Sequence, residues 1–598
     1  MKPILNKIAI IAGLSLLASC QSFFDEDPVY STTTDTFFNS ETALETYAIG
    51  FLESHLPSAA TLTRGDQYSD ICVTTQTEGF LKTGGYSAQQ ANNWARGNWR
   101  PLYNVNYYLK HMKDAAPYVD DATMKHYEGV GRFWRAWFYW DKVKTFGDVP
   151  WYAKPLGSAD PELKRPRDSR EFVMQRMIED IDFAIRYLPA ERDLYRVTKW
   201  TALALKSRFC LFEGTFRKYH GIDGYEHDWK WYLEQAADAA EEFITNSGYS
   251  LYTATGPATS YRDLFASENA QSVEVILARD YNSALGVFHN ANFYTISASY
   301  GKPGMTRKIV DSYLMADGSR FTDKAGWETM EFKQQCSNRD PRLAQTIRTP
   351  GYTRIGATTK LAPDLANSIT GYHVVKFVTG TAQDAYNKSF NDLPIFRSAE
   401  VYLNFAEAKA ELGTLTQEDI DLAIKPLRDR AGVANLSLTK ANASPDPYLA
   451  SPETGYANVT GDNKGVILEI RRERTVELLM ENLRYWDIMR WKEGKRFEKP
   501  FTGLYFPGTG SYDLNNDGVD DVCIWSGSKP ATSAPAVYEL NKEIFLSGGD
   551  SGYIIIHTDY ARSWNEERDY LYPVPTDDRV LTQGAITQNP GWNDGLNF

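Results

Sequence analysis

The sequence predicts a mostly α-helical protein, a solenoid-like scaffold of stacked helix pairs interrupted by long irregular loops and a few short β-strands. Three observations carry that expectation. Apolar residues recur at helical spacing from about Ser40 to Thr245, and again from Pro394 to about Lys492. Small residues concentrate where two consecutive helical patterns would touch. Between about 250 and 390, and from 500 to 580, the periodicity dissolves into short β-like runs separated by Gly, Pro, Asn and Asp.

Helical period begins near Ser40. From Val130, the residues Phe133, Trp134, Trp137 and Phe138 fall at i+3, i+4, i+7 and i+8, an amphipathic helix that stops at Gly147 and Pro150. A second helix is expected from about Ser169 to Leu188, with Val173, Met177, Ile181, Ile185 and Leu188 on one stripe, Asp168 to Glu171 spaced as a capping box, and Pro189 at its end. Thr198 to Phe216 and Trp229 to Thr245 read as a helix pair whose facing positions are small: Ala202, Ala204, Ala236, Ala237, Ala239 and Ala240. The interval from Ala202 to Ala236 is 34 residues, the tetratricopeptide period. A similar pair recurs at Pro394 to Leu412 and Gln417 to Ala431, closed by Gly413 and Gly432 as helix C-termini prefer, and one long helix is expected from Lys464 to about Lys492. The scaffold reads as an α-solenoid core whose faces pack on irregular segments. Val273 to Leu277 and Tyr553 to His557 read as short strands. Long loops on a rigid scaffold are where binding usually sits.

The N-terminus carries a different kind of signal. Lys2 and Lys7 precede an apolar run from Ile8 to Ala18, and Leu17-Ala18-Ser19-Cys20 then reads as a lipobox, with Cys20 the site of lipid attachment. The apolar run is about half the roughly 20 residues a spanning helix needs, so the expectation is cleavage and acylation, leaving a lipid-anchored body. Residues 1–19 are read as signal peptide, 20–39 as lipidated tether, 40–250 as an N-terminal helical region, and 251–598 as a C-terminal region bearing the binding loops, packed with its neighbour as one body. Loss of residues 1–19 removes two lysines and no acids, taking the net charge from −13 to −15. Such a surface repels phosphate backbones, so nucleic acid is excluded as a partner. Cys72, Cys210, Cys336 and Cys523 are widely spaced and form no CxxC pair; they read as buried apolar residues, with one or two disulfides compatible with an oxidising compartment.

Several stretches in a fixed order then resemble one family. They include Asp25-Glu-Asp-Pro28, Arg132-Phe-Trp-Arg-Ala136 with Gly147-Asp-Val-Pro150, Thr306 to Gly318 and Asn338-Arg-Asp-Pro-Arg-Leu343. Pro394 to Leu403, Ala406-Glu-Ala-Lys409, Leu427 to Gly432, Ile470-Arg-Arg-Glu-Arg474, Arg490-Trp-Lys492, Tyr572-Pro-Val-Pro575 and Gln588-Asn-Pro-Gly-Trp592 complete the series. On these the chain resembles the SusD/RagB family of outer-membrane nutrient-binding lipoproteins. The resemblance implies a helical fold of tetratricopeptide-like pairs, lipid-anchored at the outer membrane and exposed at the cell surface. It also implies capture of oligosaccharides, or in some members peptides, for delivery into a SusC-like TonB-dependent transporter. It recasts Arg471 to Arg474 and Asn338 to Leu343 as internal ion-pair and turn structure.

Catalytic patterns are weak by comparison. Gly549-Asp-Ser-Gly552 matches the string around a serine nucleophile, but a histidine base and buried aspartate on a paired β-barrel are not expected here, and the stretch reads as a turn. GxSxG, HExxH and Walker patterns are absent, which leaves a secreted hydrolase the weaker reading and a lid for the transporter a third. No cofactor is required. Asp513, Asn515, Asp517 and Asp521, with Gly518 at the sixth position, follow the start of a calcium loop, whose twelfth position is Ile524 in place of glutamate. The expectation is a structural calcium or an Asx turn that needs none. For sugar, an aromatic ring covers the apolar face of a pyranose while amides and carboxylates bond its hydroxyls. Aromatics in polar, non-periodic segments are therefore the expected binding residues: Tyr86, Trp94, Tyr294, Tyr300 and Trp327. Trp99, beside a helical pattern, reads as core.

Overall fold

The computed structural model describes residues 37–76, 86–89, 94–558 and 561–598. Cys20, the signal peptide and residues 20–36 of the tether lie outside the described residues. The scaffold begins with α1 (Glu41–His55), capped by Ser40 accepting the Ala43 N–H, and α2 (Ala59–Arg64), capped by Ser58. After β1 (Cys72–Val73) come α3 (Arg100–His111), α4 (Asp121–Phe146), α5 (Arg170–Tyr187), α6 (Lys199–His220) and α7 (Trp229–Asn246). The middle of the chain adds β2 (Val275–Arg279), α8 (Ala291–Ile296), β3 (Gly304–Met305), α9 (Arg307–Ser312) and β4 (Leu393–Arg397). Then follow α10 (Ser398–Leu412), α11 (Gln417–Ala423), α12 (Lys425–Ala431), α13 (Lys464–Glu477) and α14 (Arg484–Arg490). The last third holds β5 (Thr502–Phe506), β6 (Gly510–Tyr512), β7 (Val522–Trp525), β8 (Ala536–Glu539) and β9 (Gly552–Ile555).

The fold is mostly helical, and the helices stack in sequence: α3 on α4, α4 on α5, α5 on α6, α6 on α7, α7 on α10 and α10 on α13. The six small residues expected at the α6–α7 contact are all buried, and so is Gly214, where a Cβ would come within 2.7 Å of the Leu233 side chain. Close approach of the two backbones explains why that face is built from alanine and glycine. The strands form small sheets: β1–β3, β2–β4 and β5–β9 pair antiparallel, and β7 pairs antiparallel with β6 and parallel with β8. Among the described residues no helix is long and apolar enough to cross a membrane.

Four local expectations are corrected. Ser169, not Asp168, caps α5 by accepting the Phe172 N–H, because Asp168 is taken by the Trp151 N–H and by Arg165. The helix expected over Gln417–Ala431 is two helices meeting at Ile424, where Pro426 near the start of α12 supplies no N–H to continue the ladder. The helix expected over Lys464–Lys492 breaks between Glu477 and Arg484, with Met480 (φ 63°) and Asn482 (φ 62°) in the left-handed region. Cys72, Cys210, Cys336 and Cys523 are all free thiols, so no disulfide forms among them.

The break between α13 and α14 is held by tertiary charge. Glu481 takes Arg397 and Lys376, and Glu477, fully buried, accepts from Arg342, Arg397 and Arg430. Burial would raise the Glu477 carboxyl pKa, but Arg430, Arg397 and Arg342 outweigh it and hold it well below the usual carboxylate range. Arg471 meets Glu411, Arg472 meets Glu469 and Asp446, and Arg474 meets Asp487, all buried. Arg342 is bridged to Asp340 and Glu473. The two charged motifs singled out in the sequence are therefore interior structure that ties the solenoid to the loops.

Candidate functional site

The expected binding aromatics separate once folded. Trp94 is 3% exposed, edge-on to Phe146 and Trp99 with centroids 4.9 and 5.3 Å away, and its carbonyl accepts the Trp99 indole N–H at 2.7 Å. It is a core residue and is withdrawn as a binding face, while Trp99 is half-buried against the core. Tyr86 packs edge-on against Tyr572 and Trp592 of the C-terminal segment. Trp327 packs on Phe321 and Tyr448, and its carbonyl accepts from Arg307.

Tyr294 and Tyr300 do come together. Helix α8 ends one residue after Thr295, a single turn of 3₁₀ helix follows at Ala298–Tyr300, and the rings lie 4.6 Å apart at 70°. The guanidinium of Arg64, at the end of α2, stands 5.0 Å from both ring centroids, a cation–π arrangement that fixes the pair, with Tyr294 buried and Tyr300 only half-buried. Phe293 meets Tyr300 at 5.7 Å and Tyr386 at 5.6 Å, and Tyr386 is 62% exposed. The result is a surface patch of three aromatic rings, Phe293, Tyr300 and Tyr386, backed by the buried Tyr294 and one arginine.

The supports are polar and mostly buried. The Asn292 amide donates to the Gly380 carbonyl and to Asp384, and its oxygen accepts the Thr379 N–H. Arg354 holds Asp384 from the other side, and the Asn387 N–H donates to the Asn290 side chain. These bonds pin the 380–389 loop, and with it Tyr386, onto the base of α8. At Gly301 (φ 84°) the chain turns against Thr74, whose Cβ would be 3.0 Å from an added Cβ, and the Gly301 carbonyl accepts the Thr75 N–H. Glycine is required there both by φ and by the close approach.

The chemistry of the patch is stacking and hydrogen bonding. His373 and His289 nearby are buried on backbone carbonyls, and burial lowers both pKa values, to about 4 for His289, so they are neutral structural groups. Ser551 lies in the turn before β9, where its carbonyl accepts the Gly548 N–H. Asp513 accepts the N–H groups of Asn516, Asp517 and Gly518, Asp517 that of Val519, and Asp521 those of Leu514 and Asn515, an Asx-type closure of the loop. Among the described residues no three His, Cys, Asp or Glu side chains group closely enough to hold a metal ion.

Arg64, Phe293 and Tyr386 were not singled out in the sequence. Tyr386 satisfies the criterion used for the others, since it sits in the polar run Thr381-Ala-Gln-Asp-Ala-Tyr-Asn-Lys388. Arg64 carries no local signal, because its partners lie about 230 residues away in sequence.

Comparison with known proteins bears on this arrangement. Residues 264–592 match the model of the SusD family, and residues 22–211 match one described as starch-binding associating with outer membrane. The SusD-like protein P2 of Formosa agariphila is 23% identical over 528 residues, covering 86% of this chain and 95% of that one. A SusD-like protein of Bacteroides ovatus is 26% identical over 516 residues, covering 81% and 82%. The crystal structure of a SusD-like protein from Bacteroides fragilis superposes with a TM-score of 0.67 at 22% identity, over 95% of this chain and 100% of that one. A second B. fragilis structure, described as a SusD-like carbohydrate binding protein, gives 0.66 at 20% identity, over 92% and 99%.

Proposed function

We propose, from the premise that this chain belongs to the SusD family, that it is a cell-surface glycan-binding lipoprotein that captures oligosaccharides and passes them to a SusC-like TonB-dependent transporter. It is a binding protein and not an enzyme. The observation that carries the reading is the partly exposed ring of Tyr300, held by Arg64 and the buried Tyr294 and extended by Phe293 and the exposed Tyr386. Ring faces of this kind take the C–H face of a pyranose, and the amides and carboxylates around them take hydroxyls. The family's association with the outer membrane and a B. fragilis relative described as carbohydrate binding support it. Anchoring through acylated Cys20, surface exposure and the transporter partner belong to the same proposal. In it the Asp513–Asp521 loop is a self-closed turn that needs no ion.

The test is affinity electrophoresis of residues 21–598 through gels containing a panel of polysaccharides, alongside Tyr300→Ala, Tyr386→Ala and Trp327→Ala. Retardation by one glycan that is lost in Tyr300→Ala and Tyr386→Ala but kept in Trp327→Ala is the expected result. Retardation by none would move the reading to peptide capture or to a transporter lid.

A further inference from the structure

We propose that a second carbohydrate pocket, sized for a single pyranose ring, lies on the helical scaffold in the cavity bounded by α1, α4, α6 and the break between α13 and α14. The cavity has a volume of about 410 Å³, inside the range of small-molecule sites, roughly 300–1,000 Å³. It is lined by none of the loop aromatics Tyr294, Tyr300 and Tyr386. The inference extends the carbohydrate reading to a different set of residues, and its test is separable from that of the loop patch.

The walls are aromatic. Trp137, Trp140, Phe212 and Trp486 line the cavity; Trp140 and Phe212 are buried, whereas Trp137 and Trp486 are only half-buried. Two indoles thus keep surface available to an occupant, and flat faces of this type suit the apolar side of a sugar. Polar groups converge among them. Lys144 pairs with Asp141 at 3.1 Å and stands 4.6 Å from the Trp486 ring, and the Asn482 amide joins the lining. His55 also lines the cavity: its Nδ1 lies within bonding distance of the Phe51 carbonyl and Ser54, while its buried Nε2 has no hydrogen-bond partner. A ring bearing hydroxyls would supply one.

The backbone is shaped to present this lining. An uninterrupted helix through residues 478–483 would remove the turn that carries Asn482, yet the chain holds Met480 and Asn482 at positive φ instead. Left-handed backbone at a methionine is strained and persists only where its surroundings over-determine it, a condition met most often at functional sites. Glu481, bridging Arg397 and Lys376, supplies the anchor. Opposite, Gly65 leaves room for the Asn482 amide, since a Cβ there would sit 1.9 Å from its oxygen. Strain, the glycine gap and the unpartnered histidine nitrogen all meet at one aromatic-walled cavity.

The test uses residues 21–598 labelled with 5-fluorotryptophan and observed by ¹⁹F NMR, with D-glucose, D-galactose and D-glucuronate as probes and glycerol as the control. Trp137→Phe and Trp486→Phe assign the two resonances. The expected result is a saturable shift of both with at least one sugar, half-complete at about 1–10 mM, and unchanged in Tyr300→Ala. Asn482→Gly, which accepts the positive φ freely and deletes the amide, is expected to weaken the response about tenfold without lowering the melting temperature. Resonances that stay fixed with all three sugars, or that drift linearly and equally with glycerol, would overturn the proposal whatever the loop patch does in the gel.

Discussion

Replacing Glu477 by Gln puts the interior charge network to a quantitative test. Its carboxylate accepts from Arg397 at 2.7 Å, from Arg342 at 2.9 Å and from Arg430. After the substitution Arg342 keeps Asp340 and Glu473, at 2.7 and 2.6 Å, and Arg397 keeps Glu274 and Glu481, both at 2.8 Å. Arg430 keeps only Glu274, at 3.3 Å, so the lost compensation falls mainly on that one buried guanidinium. Removing one partner of a buried ion pair costs about 3–5 kcal/mol, and the amide oxygen of Gln, which still accepts one N–H, places this case near 3. The carboxyl's depressed pKa gives the same sign: it stabilises the fold above the ordinary carboxylate range and loses that contribution as pH falls. The assay is urea unfolding followed by circular dichroism and tryptophan fluorescence, on Glu477→Gln, Arg430→Met and the double variant. Because the double variant removes both members of the poorly compensated pair, its loss should fall short of the sum of the singles by about 1–3 kcal/mol. A loss under about 1 kcal/mol for Glu477→Gln, or strict additivity in the cycle, would refute the claim that this network holds solenoid and loops together.

Three further outcomes are expected. Burial lowers the pKa values of His55 and His289 to about 4 and of His220 to about 3. The unfolded chain therefore binds protons that the folded chain refuses as pH falls from about 6.5 to 4, and stability drops through that window by about 2 kcal/mol per histidine between pH 7 and 5. Buried Asp66, raised to about 7, works in the opposite sense and offsets about one histidine; unfolding midpoints across this range should show the net fall, and a flat profile would contradict it. Calcium or a chelator should change the melting temperature by less than about 1 °C, since the Asp513 carboxylate is already engaged by three backbone N–H groups. Stabilisation by calcium would instead give the buried, unpartnered Asn515 oxygen its ligand. Gly301→Ala should cost about 1–2 kcal/mol from its φ of 84° and the Thr74 contact, and should weaken glycan retardation by displacing Tyr300; full retardation with a displaced melting temperature would separate the turn from the binding face.

Much of the scaffold was legible because its signals are local. A glycine that must take positive φ at a helix end, as Gly413 and Gly432 do, announces itself within one turn, and the cluster of small residues in α6 and α7 marks where the two helices approach closely. Loops offered no such rule. Trp94 and Tyr300 both sit in polar, non-periodic stretches, yet one is sealed by Phe146 and Trp99 while the other faces Arg64 and Phe293. Local composition cannot tell them apart, since the partners that bury the first and present the second lie far away in sequence.

By itself, then, the sequence determined the helical repeat, the ends of most helices and the net negative charge, while the interior destination of its arginine-rich motifs was implied only by the family resemblance. The first three follow from period, capping chemistry and residue counts. Only the tertiary structure decided where α13 stops, which aromatics share a surface, and that a cavity opens beside the broken helix. Each of those depends on side chains brought together over hundreds of residues, Glu481 on Arg397, Arg64 on Tyr294 and Asn482 against Gly65, and such meetings leave no mark on local pattern.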